Sequence, residues 1–159
     1  MKCMGKKTKY NICYAILAII MFSGTAMAEM GPFGLGIIIG EPTGISGKYL
    51  LDKTNAIDGA IAWSSSGNNE FYLHADYLYH NYSLTTVEKG ELPVYFGLGG
   101  RVVFREKHDD KVGIRFPLGI NYIFDNAPFD AFLEIAPIFD LTPDTDLDLE
   151  AAIGIRYFF

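Results

Sequence analysis

The chain has 159 residues, 50% of them hydrophobic, with 19 acidic residues against 13 basic ones and a formal net charge of −6 at pH 7. This acidic balance argues against a nucleic-acid partner, which needs a basic protein surface. The length is that of one domain. Both cysteines, Cys3 and Cys13, lie near the start, so the rest of the chain has no disulfide or thiol chemistry available.

Residues 1–28 have the three parts of a cleaved secretory signal. Four lysines precede an apolar run over residues 12–22, and Ala26 and Ala28 form a small-x-small cleavage site before Glu29. The apolar run is shorter than the roughly 20 residues that a helix needs to cross a bilayer. The sequence therefore predicts a signal peptide over residues 1–28 and a single domain over residues 29–159.

Alternation of apolar and polar residues predicts an all-β domain of eight strands without a helix. The predicted strands cover residues 33–40, 45–51, 57–63, 71–80, 93–104, 112–124, 129–141 and 146–159. Turn residues such as those at 41–43 separate them, and residues 81–91 form the longest connection. Pro137 predicts a bulge or a local break in the pairing of the seventh strand, because proline lacks an amide hydrogen.

The two faces of these strands differ in a way that indicates what surrounds them. One face combines glycines with charged residues, and the other carries large apolar residues, among them Trp63, Phe96 and Phe116. A barrel of eight strands is just wide enough to be filled by its own side chains, so the bulky face would crowd a narrow interior. We therefore expect an antiparallel up-and-down transmembrane β-barrel whose apolar face meets lipid.

An even number of strands returns the chain to the side on which it started. We expect both termini in the periplasm, together with the connections near residues 52, 81–91 and 126. The connections near residues 42, 66, 108 and 143 then face outside. The expected location is the bacterial outer membrane.

Charged residues on the inner face must neutralise one another. The predicted charge network of the lumen consists of Lys48, Asp58, His74, Asp76, Arg101, Arg115, Glu134, Glu150 and Arg156. A symmetric second hairpin places Lys48 opposite Asp58. A hairpin centred on His108 places Arg101 opposite Arg115, with Glu134 and Glu150 as their acceptors. The network predicts a structural plug, and a proton or ion path is the alternative.

Two patterns invite a metal hypothesis. His74 and Asp76 point the same way, but two ligands are too few for a defined metal site. The acidic residues Asp140, Asp144, Asp146, Asp148 and Glu150 lack the spacing of an EF-hand. We expect a hydrogen-bonded lumen histidine, a solvated acidic loop that touches divalent cations at most, no metal site and no cofactor.

Catalysis on lipid A is the enzymatic alternative, because some small outer-membrane barrels use a serine, a histidine and an acid near the outer leaflet. The outer connections offer Ser64, Ser65, Ser66, His108, Asp109 and Asp110. These residues lie on different connections, and the His-x-Ser-Asn pattern associated with the lipid A deacylases is absent after both His74 and His80. The sequence therefore predicts no catalytic residues.

In the last predicted strand every second residue is apolar, which is the period of a strand with one face in an apolar medium. These residues are Ala151, Ile153, Ile155, Tyr157 and Phe159. Outer-membrane barrels place aromatic residues where strands meet the membrane interface. Gly154, Tyr157 and Phe159 resemble the C-terminal signal that the barrel-assembly machinery reads. That machinery is therefore an expected partner during insertion.

Five segments carry a family resemblance: Gly40–Ser46, Leu73–Tyr77, Arg115–Gly119, Phe132–Pro137 and Gly154–Phe159. Together they resemble a family of small, functionally uncharacterised bacterial outer-membrane barrels, similar in form to OmpX and the transmembrane domain of OmpA. The resemblance implies the fold and the location, and it transfers no catalytic residue. The short outer connections depart from OmpX, whose protruding strands are associated with adhesion.

These observations predict a monomeric outer-membrane barrel with a plugged lumen and a structural or interaction role. Its expected partners are outer-membrane lipid and lipopolysaccharide. Three alternatives stay open: a soluble periplasmic lipid-binding barrel, a narrow pore and a barrel enzyme that modifies lipid A.

Overall fold

The computed structural model describes residues 30–64, 70–106 and 109–159. The expected cleavage-site residues Ala26, Ala28 and Glu29 lie outside this part of the chain. The described residues form nine strand segments: β1 Phe33–Gly40, β2 Gly44–Leu50, β3 Asn55–Ser64, β4 Glu70–Asn81, β5 Val94–Arg105, β6 Lys111–Arg115, β7 Leu118–Ile123, β8 Phe129–Thr142 and β9 Asp146–Phe158. Within the same residues, no helix is long and apolar enough to cross a membrane.

The segments form one closed antiparallel ring. Strands that follow one another in sequence pair with each other, except that β6 and β7 both lie between β5 and β8. The ring closes where β1 pairs with β9 from Gly34↔Phe158 to Gly40↔Ala152. Closure leaves no unpaired sheet edge among the strands that the structure describes. The start of β1, the end of β9 and the connections after β2, β4 and β7 lie at one end, here called the terminal end. The last residues of β1, β3, β5 and β8 lie at the other end, here called the distal end.

The sixth predicted strand, residues 112–124, is divided at Pro117 into β6 and β7. Both segments pair with β5 and with β8, and the register is the same on either side of the interruption. The prediction of one continuous strand is therefore wrong, although both pieces occupy a single position in the ring. The ring has eight positions because β6 and β7 share one.

Two prolines account for this interruption. The amide of Gly97 donates to the carbonyl of Pro117 over 2.9 Å, and the amide of Phe116 donates to the carbonyl of Pro137 over 3.0 Å. Neither proline can donate a hydrogen bond back to the same neighbouring strand, because proline has no amide hydrogen. The local break in pairing predicted at Pro137 is found on one side of β8: the ladder with β6 and β7 passes from Ile138 to Ile135, whereas Pro137 stays paired to Leu149 of β9. A further irregularity of register falls between Val112 and Gly113.

Side chains alternate between an outer face of exposed apolar residues and an inner face that carries the charged ones, as β strands with unlike environments on their two faces do. Large apolar residues along every strand are exposed, among them Trp63, Phe96 and Phe116, while Arg101 and Arg115 are buried inside. Buried apolar residues both large and small, such as Leu78, Phe132 and Ala152, also lie in the interior.

A short turn at the terminal end joins β2 to β3 through a hydrogen-bonded aspartate. Oδ1 of Asp52 accepts the backbone amides of Thr54 over 2.7 Å and of Asn55 over 2.8 Å. The side-chain amide of Asn55 donates to the same carboxylate. These bonds, the side-chain one foremost, lower the pKa of Asp52 to about 2. The turn holds the register in which Lys48 lies opposite Asp58.

Glycines on the inner face of β5 make room for charged side chains from neighbouring strands. A Cβ added at Gly99 would lie 2.0 Å from Oδ1 of Asp76 and 2.2 Å from the carbonyl oxygen of Ala75. A Cβ at the adjacent Gly100, which points outward, would meet nothing closer than 3.5 Å. The contacts around position 99 therefore leave no room for a side chain larger than that of glycine, whereas position 100 has room for one.

Replacing Gly99 with alanine is expected to destabilise the barrel by about 1–3 kcal/mol, because the methyl group overpacks the interior. Gly100→Ala serves as the matched control in the same strand, and we expect a change of at most about 1 kcal/mol, in the stabilising direction. Urea unfolding of both variants measures the difference. Equal stability of the two variants would contradict the contact at Gly99.

Candidate functional site

The interior of the barrel is a layered network of buried charges. All nine residues of the predicted lumen network, Lys48, Asp58, His74, Asp76, Arg101, Arg115, Glu134, Glu150 and Arg156, are buried there. Three arginines organise the network into three levels, with Arg101 near the distal end, Arg115 in the middle and Arg156 towards the terminal end.

The distal level is built around Arg101. Its guanidinium donates to Asp140 over 2.7 Å, to Asp148 over 2.8 Å and to Glu150 over 2.6 Å. The amine of Lys111 adds a second cation 3.2 Å from Asp140. The acidic residues 140, 148 and 150 are therefore partners of one arginine. The expectation of a solvated acidic loop is wrong for Asp140 and Glu150, which are buried.

The middle level is built around Arg115, which is only 1% exposed. Its guanidinium donates to Asp76 and, over 2.9 Å, to Glu134, and its Nε lies 3.3 Å from Glu150. The hydroxyl of Tyr95 donates to the other oxygen of Glu134 over 2.9 Å. A neutral donor and a cation thus share one buried carboxylate.

The terminal level is built around Arg156. Two of its nitrogens bind the two oxygens of Asp130, over 2.9 and 3.1 Å, in the bidentate geometry that makes arginine–carboxylate pairs strong. Its Nη1 also lies 3.3 Å from Asp58. Arg156 stacks on the ring of Phe132 at 4.1 Å. Lys48 lies 3.6 Å from Asp130 and 2.8 Å from Nε2 of His80.

The expected hairpin partners are found in part. Lys48 lies directly opposite Asp58, although its nearest carboxylate is Asp130. The prediction that Arg101 faces Arg115 is wrong, because Arg101 pairs with Gly113 and Arg115 pairs with Gly99. The register is offset by two residues from a hairpin centred on position 108. Each arginine consequently faces a glycine, which separates the two cations and leaves room for their side chains.

The network contains partners that the sequence reasoning left out: Tyr72, His80, Tyr95, Asp130 and Asp140. Each of them occupies an inward position in its strand, at an even number of residues from a member of the predicted network. The alternation along each strand was therefore sufficient to predict that these side chains point inward. It carried no information about which charges meet across the lumen.

The network separates two open vestibules. The distal vestibule, with a volume of about 740 Å³, has Tyr72, Arg101 and Glu150 among its lining residues. The terminal vestibule, about 730 Å³, is lined among others by Lys48, His80 and Asp130. The charged residues between the two vestibules are buried and bonded to one another.

The residues considered for catalysis do not form a site among the described residues. Ser65, Ser66 and His108 lie outside the described part of the chain, as does the side chain of Ser64. Asp110 accepts a hydrogen bond from the backbone amide of Arg105 over 3.0 Å, which is a structural role in the connection after β5.

The residues of the predicted barrel-assembly signal lie at the end of β9. Tyr157 and Phe159 form an aromatic cluster with ring centroids 4.9 Å apart, and Gly154 packs against Phe132.

No family model matches the chain, and no curated protein matches it. The fold is similar to the crystal structure of the N-terminal β-barrel domain of OprF from Pseudomonas aeruginosa, with a TM-score of 0.51. The match covers 80% of this chain and 95% of that chain at 16% sequence identity. At this level of identity the likeness shows the fold alone, an antiparallel β-barrel of the kind found in that domain.

Proposed function

We propose that this protein is an integral outer-membrane β-barrel whose lumen is closed by its own charges and whose role is structural or one of interaction. The observation that carries the proposal is the outer wall, where large apolar residues are exposed on every strand while the charged residues of the inner face are buried. A wall of this kind is stable where the surrounding solvent is itself apolar.

Aromatic residues at both ends of the wall support a membrane-spanning position. Phe33, Tyr157 and Phe159 cluster at the terminal end, with ring centroids of Phe33 and Phe159 6.3 Å apart. Phe71 and Phe104 lie 6.2 Å apart at the distal end, close to the exposed Trp63. Transmembrane barrels carry aromatic girdles at both interfaces of the bilayer.

The soluble-carrier alternative requires the opposite orientation, with an apolar interior that receives a lipid and a polar wall that meets water. Here the buried side chains include four bases and six carboxylates, counted over the residues that the structure describes. A lipid tail in such an interior would strand those charges without partners. We therefore favour the membrane barrel, with lipid and lipopolysaccharide as the molecules that surround the wall.

Fractionation together with heat-modifiable gel migration tests the proposal. We expect the protein in the outer-membrane fraction, resistant to extraction with carbonate, and we expect a folded band that shifts after boiling. Recovery in the periplasmic extract would overturn the membrane assignment. Steady single-channel conductance in planar bilayers would overturn the plug and favour a narrow pore, and altered lipid A mass spectra on overexpression would favour an enzyme.

Labelling of single cysteines tests the proposed topology, in which the signal peptide is removed and both termini are periplasmic. Asp144 lies in the exposed connection after β8, and Asp125 lies in the exposed turn after β7. We expect Asp144→Cys to react with a membrane-impermeant maleimide in intact cells and Asp125→Cys to react only after permeabilisation. The parent protein is the control, and the reverse pattern would invert the topology.

A further inference from the structure

Three side chains with metal-binding chemistry meet inside the barrel between β3 and β4. Asp58 lies directly opposite Asp76, and His74 precedes Asp76 by two positions on the same inner face. Each offers one ligand atom, and these atoms lie within 4.8 Å of one another. All three residues are buried. Like charges directly opposite each other in a sheet are destabilising, so this pair needs a compensating positive charge.

The two arginines that contact Asp58 and Asp76 are shared with other carboxylates. Arg156 binds both oxygens of Asp130, and Arg115 binds Glu134 over 2.9 Å. Over the described residues, the buried carboxylates are Asp58, Asp76, Asp130, Glu134, Asp140 and Glu150, and the buried bases are Lys48, Arg101, Arg115 and Arg156. Six carboxylates against four bases leave a surplus of two negative charges, which one divalent cation would balance.

The two aspartates each keep one oxygen without a hydrogen-bond partner. Oδ2 of Asp58 faces Arg156 at 3.3 Å, and Oδ2 of Asp76 accepts from Arg115. Oδ1 of Asp58 and Oδ1 of Asp76 are buried and unpaired. A buried polar atom without a partner is costly, and an ion is one of the groups that satisfies it. These two unpaired oxygens are independent of the clustering itself and point to a ligand.

The hydrogen bonds of His74 leave its second nitrogen free to bind a metal. The hydroxyl of Tyr72 has one proton, which it donates to Glu150 over 2.6 Å. The oxygen of Tyr72 must therefore accept the hydrogen of Nδ1 of His74, 3.2 Å away. Nε2 then carries a lone pair and lies 3.9 Å from Oδ2 of Asp76. Metal-binding histidines are oriented by such a bond from their other ring nitrogen.

We propose that Asp58, His74 and Asp76 bind one divalent transition-metal ion in the interior of the barrel. One imidazole and two carboxylates suit Zn²⁺, whose sites with three protein ligands keep a fourth position for water. Entry would be from the distal vestibule, because Tyr72 lines that vestibule and touches His74. The site extends the pair that sequence alone offered, His74 and Asp76, by a third ligand from the neighbouring strand.

Zn²⁺ binding to the purified full-length protein in detergent, after treatment with a chelator, tests the proposal. Calorimetry and metal analysis after gel filtration should give one Zn²⁺ per chain. His74→Gln should abolish this binding. His80→Gln is the matched control, because His80 is also a buried lumen histidine but bonds to Lys48 over 2.8 Å, and it should bind like the parent.

A second, more conservative variant distinguishes loss of the metal site from loss of folding. Tyr72→Phe leaves all three ligands in place and removes only the hydroxyl that orients His74, and we expect about 10- to 100-fold weaker Zn²⁺ binding. Heat-modifiable gel migration verifies that each variant is folded. The absence of Zn²⁺ from the parent would overturn the site and leave protons to balance the aspartates. Equal losses in His74→Gln and His80→Gln would overturn it as well.

Discussion

Replacing Glu134 with alanine is expected to lower the free energy of unfolding by about 3–5 kcal/mol, because it leaves a buried cation and a buried hydroxyl short of an acceptor. Arg115 donates to Glu134 over 2.9 Å, and Tyr95 donates to its second oxygen over 2.9 Å. In the variant, the hydroxyl of Tyr95 and one nitrogen of Arg115 lose this acceptor, and Arg115 keeps its bond to Asp76. Urea unfolding of protein refolded into phospholipid vesicles, followed by the fluorescence of Trp63, measures the change.

Glu88→Ala is the control for this variant. Glu88 is exposed in the connection after β4, so its removal is expected to change stability by no more than about 0.5 kcal/mol. A similarly small effect for Glu134→Ala would mean that water enters the lumen and solvates Arg115. The plug would then be looser than the buried geometry implies.

Replacing Leu133 with arginine is the second change for which we expect a large effect, about 2–4 kcal/mol of destabilisation in a bilayer. Leu133 is 52% exposed, lies near the middle of β8 and is flanked on the neighbouring strands by Ile120 and Ile153. In water, an exposed leucine of this kind could be replaced at a cost of about 0.5 kcal/mol or less. The size of the effect therefore reports what lies outside the wall.

The matched control is Leu147→Arg. Leu147 is 73% exposed and lies at the distal end of β9, where an arginine reaches the interface. We expect a cost of about 0–1 kcal/mol there. Equal costs at positions 133 and 147 would contradict a wall that spans the hydrocarbon region, because depth would then have no influence.

The direction of side chains was predictable from the sequence because it depends only on local alternation. A strand with an apolar outer face and a charged inner face repeats every two residues, and this placed Arg101, Arg115 and Glu134 inside. The interruption at Pro117 and the continued pairing of Pro137 with β9 were not predictable in the same way. Whether a proline breaks a strand depends on which neighbouring amide bond it removes.

The hairpin register was not predictable from the sequence, for a physical reason. A slip of two residues keeps every side chain on its own face, so alternation cannot distinguish Arg101↔Arg115 from Arg101↔Gly113. The contacts across the lumen escaped as well, because they depend on the tilt and stagger of strands that are not neighbours. Lys48 therefore has its nearest carboxylate, Asp130, on β8, although its partner in the sheet register is Asp58 on β3.

The third ligand of the candidate metal site was within reach of the sequence. A hairpin centred on Gly67 brings Asp58 opposite Asp76, as the structure does. What the sequence could not supply was the role of Tyr72, whose bond to Glu150 fixes the proton of His74. That contact joins β4 to β9 across the lumen.

The central claim is that the apolar wall faces lipid, and Trp63 tests it most directly. It is the only tryptophan of the chain and is 66% exposed on the outer wall. In vesicles whose acyl chains carry bromine, we expect strong quenching of its fluorescence and weak quenching by acrylamide in the aqueous phase. Strong quenching by acrylamide with none by the brominated lipid would contradict a wall that faces the membrane.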